Sequence, residues 1–86
     1  MNLDDGQEMK LQIKEIIGKI TRIDIEKIND QSSLRDELFI DSLQGTQIIH
    51  LIQDKYNIKI DEIEIFNVDN INEIVDLIKE YRDQNH

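Results

Sequence analysis

Eighty-six residues, with 19 acidic and 10 basic side chains and a net charge of −9, read as one small domain, residues 1–86. That charge argues against nucleic-acid binding, which needs clustered Lys and Arg, and no apolar run approaches the roughly 18 residues of a membrane span. The absence of cysteine excludes disulfides and thiolate metal sites.

Three glycines, no proline and no tryptophan suit a helical chain with few sharp turns. Isoleucines at periodic positions argue against disorder despite the charge. The acidic start "MNLDDGQEMK" lacks the apolar stretch of a signal peptide, so a cytoplasmic location is expected.

In chain order, the spacing of Met9, Ile13, Ile16, Ile17 and Ile20 predicts a first helix from about Asp5 to Ile20. In the following "TRIDIEKINDQSSLRDEL", the apolar residues Ile23, Ile25, Ile28, Leu34 and Leu38 keep no period. This predicts a long ordered loop whose apolar residues plug the core. A second helix should start at Asp41 or Ser42 and end near Tyr56–Asn57. Gly45, Ile48, Ile49, Ile52 and Tyr56 fall on one side of it, and Leu43, Thr46, Gln47, His50 and Asp54 on the other. "DEIEIF" reads as a short helical turn. Its alternation also suits a strand, but no second strand is present to pair with it. The last helix opens at "DNINEI", where Asn70 and Glu73 resemble a capping box, and carries Ile71, Ile74, Val75, Ile78 and Tyr81 as its stripe. "RDQNH" is expected to fray. These stripes are buried only if the helices face one another, so the predicted fold is all-α: a small bundle of three longer helices and one short one.

Catalysis within the chain is not expected. His86 is terminal, and His50 lies eight residues after Ser42, about 12 Å along a helix, too far to activate its hydroxyl. "DEIEIFNVDNIN" lacks the ligand spacing and glycine of an EF-hand, so no metal site is expected either. Ser42, in "LFIDSLQGTQIIHLIQ", has two readings. It is a helix N-cap whose hydroxyl accepts a backbone N–H, or it is a point of attachment. The free N–H groups and partial positive charge of a helix start suit a serine bearing a phosphate ester, and Leu43 points away from the core stripe.

Asp41-Ser42-Leu43, the acidity, the size, the long first loop, "YNIKIDEIEI" and "VDNINEIVDLI" together resemble the acyl carrier protein family over nearly the whole chain. The resemblance implies that a phosphopantetheinyl transferase attaches 4′-phosphopantetheine from coenzyme A to Ser42, and that the arm's thiol carries an acyl group as a thioester. Asp41 would assist the transferase. Leu43, Gln44, Gln47 and His50 would meet acyl-transferring and chain-elongating enzymes. Ile48, Ile49, Ile52, Ile60, Ile65, Ile71 and Ile74, which read as core, would also part to shelter an acyl chain. A monomer is implied. The alternatives are an acidic helical interaction module with Ser42 only a cap, and a peptidyl or aminoacyl carrier. Such carriers tend to show Gly-Gly where Phe39 and Ile40 stand.

Two features depart from the family. Its usual glycine two residues before the aspartate is Phe39 here. If that position requires positive φ, phenylalanine costs about 1–2 kcal/mol, so a different loop path or a Phe39 plug is expected. The second helix is also not acidic. Gln44, Gln47 and Gln53 occupy it, and Asp54 and Lys55 cancel. The acidity lies in Asp61, Glu62, Glu64, Asp69, Glu73, Asp76 and Glu80, against Lys79 alone. Charge complementarity sets partner choice, so poor recognition by general fatty-acid synthase enzymes is expected, and the pathway served is fatty-acid biosynthesis or a specialised, polyketide-like one.

Overall fold

A computed structural model describes residues 5–84. Among them the chain forms four α-helices and no strand: α1 (Asp5–Thr21), α2 (Ser42–Tyr56), α3 (Glu62–Asn67) and α4 (Ile71–Gln84). The fold is an all-α bundle.

Each helix start after the long loop has a side-chain cap. Asp41 caps α2 by accepting the Gln44 N–H at 2.8 Å. Asp61 caps α3 by accepting the Ile63 N–H at 3.1 Å. At α4 the expected capping box is present: Asn70 accepts the Glu73 N–H at 2.9 Å, and Glu73 accepts the Asn70 N–H at 3.3 Å. Asn57 ends α2 in the left-handed region, φ 55, which asparagine tolerates better than most residues.

Met9, Ile13 and Ile17 of α1 meet Ile48, Ile49 and Ile52 of α2 and Ile71, Ile74, Val75, Leu77 and Ile78 of α4 in one core. α1 packs on both α2 and α4. Each fully buried isoleucine contributes about 1.5–3 kcal/mol of transfer free energy.

The long loop contains a 3-10 turn, Ile25–Lys27, that the aperiodic sequence did not signal. Its apolar residues divide. Ile28 is buried, Ile23, Leu34 and Leu38 pack partly against the core, but Ile25 is exposed and plugs nothing. Ile25 belongs to the short turn, and its backbone carbonyl closes that turn by accepting the Ile28 N–H at 3.0 Å. A second correction concerns the tail. α4 continues through Arg82, Asp83 and Gln84, while Asn85 and His86 lie outside the described residues, as do residues 1–4 of the N-terminal stretch.

Polar contacts fasten the loop. Asp30 takes ion pairs from Lys14 at 2.8 Å and Lys10 at 3.5 Å, and its carbonyl accepts the Asn72 N–H at 3.2 Å. The Lys14 hydrogen bond holds the Asp30 carboxyl below its ordinary value; burial opposes it, and the charges of Lys14 and Lys10 add to the lowering. A carboxylate with a lowered folded pKa adds stability above its unfolded pKa, about 3.9, and loses it as pH falls through the lower folded value. Urea midpoints of the parent and Asp30→Asn should therefore differ at neutral pH and converge in acid below that value. A gap that stays constant with pH would contradict the pairing.

Candidate functional site

The site is built at the junction of the long loop and α2. Asp69, in the α3–α4 connection, anchors the loop from below. It accepts hydrogen bonds from the Ser33 hydroxyl and, at 3.2 Å, from the Arg35 N–H, and its carbonyl accepts the Leu34 N–H at 2.8 Å. Arg35 reaches Asp69 at 3.5 Å and the Val68 carbonyl at 3.1 Å. The Leu38 N–H returns to the Ser33 carbonyl at 3.1 Å and the Ile40 N–H to the Leu34 carbonyl at 2.8 Å. Residues 33–40 thus form a closed, pinned turn leading directly into Asp41.

Asp41 is the cap, not Ser42. Its carboxylate takes the Gln44 N–H, and its own N–H donates to the Gln44 amide oxygen at 3.3 Å, completing a capping box. This overturns the reading of Ser42 as the residue whose hydroxyl caps the helix. Ser42 is the first helical residue, exposed to solvent, and its hydroxyl makes no hydrogen bond among the described residues. Only its carbonyl is engaged, accepting from the Thr46 hydroxyl at 2.9 Å.

Of the other predicted residues, Leu43 (69 % exposed), Gln47 and His50 lie on the outer face of α2. Gln44 is half-buried with its amide oxygen committed to the capping box, so it is not a free contact residue. Ile48, Ile49, Ile52, Ile60, Ile71 and Ile74 are all buried together, and Ile65 packs against them.

Phe39 overturns both expectations made for it. The loop does pass through the left-handed region there, φ 55, and the side chain is no plug: it stands 78 % exposed. The backbone bonds on either side hold this conformation, at a cost of about 1–2 kcal/mol for a residue with a Cβ.

The acidic run also reads differently in three dimensions. Glu64 accepts from the Tyr81 hydroxyl, which in turn accepts the Asp61 N–H at 2.9 Å, so α4 holds the start of α3. The hydrogen bond to Glu64 pushes the Tyr81 phenol above its ordinary pKa. Asp69 anchors the loop and Glu73 caps α4. Asp76 and Glu80 remain exposed on α4, and the side chain of Glu62 lies outside the description. Sequence reasoning missed the roles of Asp69 and Tyr81 because both act across long separations without a local motif. It also missed Ile63, 71 % exposed, for which the crowding of isoleucines in "DEIEIF" gave the only hint. Among the described residues no three His, Asp or Glu side chains gather to hold a metal ion, and no helix is long and apolar enough to cross a membrane.

This helical bundle presents a free hydroxyl just inside a capped helix start, where an outside catalyst can reach it. Comparison with known proteins agrees. Residues 11–78 match the family described as "Phosphopantetheine attachment site". The chain is 32% identical over 75 residues to the acyl carrier protein of Buchnera aphidicola subsp. Baizongia pistaciae, covering 87% of this chain and 96% of that one. It is 30% identical over 79 residues to the meromycolate extension acyl carrier protein of Mycobacterium leprae, covering 92% and 69%. Its fold matches the solved acyl carrier protein of Enterococcus faecalis with a TM-score of 0.74 at 20% identity, over 88% of this chain and 96% of that one.

The chain therefore belongs to the acyl carrier protein family. It is a carrier used by enzyme partners and not itself an enzyme, and the group it carries cargo on is 4′-phosphopantetheine. An exposed serine with an uncommitted hydroxyl fits esterification by such a group.

Proposed function

We propose that Ser42 is the attachment residue and that residues 1–86 act as a single, monomeric carrier domain in the cytoplasm. The observation that carries this reading is the division of labour at the start of α2: Asp41 does the capping, which leaves the Ser42 hydroxyl exposed and free. In the transfer, Ser42 Oγ bonds to the phosphorus that bears the pantetheine of coenzyme A. The bond to 3′,5′-ADP breaks, and the serine proton passes to a base on the phosphopantetheinyl transferase. The bound group supplies a terminal thiol that holds acyl cargo as a thioester. Asp41 keeps the helix start rigid while Ser42 is approached. Leu43, Gln47 and His50 form the face met by acyl-transferring and chain-elongating enzymes, with Gln44 supporting that face through the cap. The isoleucine interior around Ile48, Ile49, Ile52, Ile60, Ile65, Ile71 and Ile74 shelters the acyl chain by parting.

Incubation with coenzyme A and a broad-range transferase should raise the mass of the chain by about 340 Da, the mass of the arm. An unchanged mass would overturn the proposal. Because α2 carries no net charge from Ser42 to Tyr56, we further assign this fatty-acid or specialised, polyketide-like carrier a weak docking on general fatty-acid synthase enzymes. Its acylation by a general fatty-acid system should be slower than that of a standard carrier. Equal rates would defeat this assignment.

A further inference from the structure

Phe39 combines two properties that have no common explanation within the chain. Its backbone is held at φ 55, where glycine is favoured, and its ring is 78 % exposed. The flanking Leu38 and Ile40 both turn inward against the core, and Phe39 takes no part in it. A solitary exposed apolar residue is ordinary. A large one kept in an unfavourable conformation on a pinned loop is an outlier that calls for a function.

Position narrows that function. Phe39 precedes Ser42 by three residues, so their Cα atoms are at most about 11 Å apart. Leu43, also exposed, follows Ser42 directly. A catalyst working at the far end of a flexible arm has latitude in where it touches the carrier. One that forms a bond to Ser42 Oγ itself must come down onto the surface holding Phe39 and Leu43. In sequence the ring is flanked by the exposed acids Asp36, Glu37 and Asp41, with Arg35 beyond them paired to Asp69.

We propose that Phe39 is the anchor by which the phosphopantetheinyl transferase grips this carrier, entering an apolar pocket rimmed by basic side chains on that enzyme. This rests on Ser42 being the attachment residue. The recognition is displaced to the loop before the serine, which offsets the absence of acidic residues along α2. Phe39 acts in positioning and specificity and takes no part in the bond-forming step.

The test is steady-state kinetics of coenzyme A transfer by a purified broad-range transferase, with the carrier as varied substrate and urea midpoints measured alongside. Phe39→Gly relieves the backbone and should raise the midpoint, yet increase KM for the carrier about tenfold with kcat little changed, the scale of losing an aromatic anchor. Phe39→Trp, which keeps an aromatic ring, should stay close to the parent. Added salt should raise KM by screening the acidic rim. A Phe39→Gly KM equal to the parent's would overturn the proposal while leaving Ser42 as the attachment residue. So would a raised KM accompanied by a lowered midpoint, or a KM indifferent to salt. A parent that accepts no mass at all would remove the Ser42 assignment and this proposal with it.

Discussion

Replacing Ser42 with alanine should leave a chain that folds like the parent and gains no mass from coenzyme A. The two halves of this expectation come from separate features. Folding is spared because the Ser42 hydroxyl makes no hydrogen bond among the described residues and faces solvent, while the cap that starts α2 belongs to Asp41. Exposed substitutions away from such contacts change stability by about 0.5 kcal/mol or less. The mass gain of about 340 Da should vanish completely, because no other serine is placed to replace it. Ser32 is buried, and the Ser33 hydroxyl is committed to Asp69. Both lie in the same loop, ten and nine residues upstream, and serve as internal controls. Intact mass and a urea titration on the same preparation check both halves. A modified Ser42→Ala chain would place the arm elsewhere, and an unfolded one would mean that the hydroxyl has a structural role.

Ile52→Ala should have the largest effect on stability. Ile52 is fully buried on the inner face of α2, in the core it shares with Met9, Ile13 and Ile17 of α1 and Ile71 and Ile78 of α4. Truncation loses the transfer free energy of three carbons and leaves a void that helices held from several sides cannot fill, at a cost of about 2–5 kcal/mol. Small domains are stable by about 5–15 kcal/mol, and one of this size sits near the lower end, so the variant should be close to unfolding at physiological temperature. Equilibrium urea unfolding with a fixed slope measures the loss. A loss under about 1 kcal/mol would mean that the helices close over the gap and that the core is less tightly shared than its burial indicates.

Local rules made much of this fold legible. Met9, Ile13 and Ile17 announce the buried face of α1 by spacing alone, and Asn70 with Glu73 announces the start of α4. The motif at 41–43 pointed to the start of α2, although the division between a capping Asp41 and a free Ser42 emerged only with the geometry. What stayed hidden depends on distant partners. Ile25 and Ile28 look alike in an aperiodic stretch, yet one faces solvent in a short turn and the other enters the core. Asp69 looked like one acid among seven, and its hold on Ser33, Leu34 and Arg35 spans more than thirty positions. Phe39 was misjudged because a favourable φ was expected to prevail over the loop's path. The pinned turn prevails instead, and the ring is left outside.

The most direct measurement is a fragment-ion spectrum of the chain after reaction with coenzyme A and a transferase. Fragments that contain position 42 should carry the arm or the phosphate remnant it leaves on release, and those containing Ser32 and Ser33 without it should carry neither. Finding the added mass on either upstream serine, or on a fragment lacking Ser42, would contradict the account.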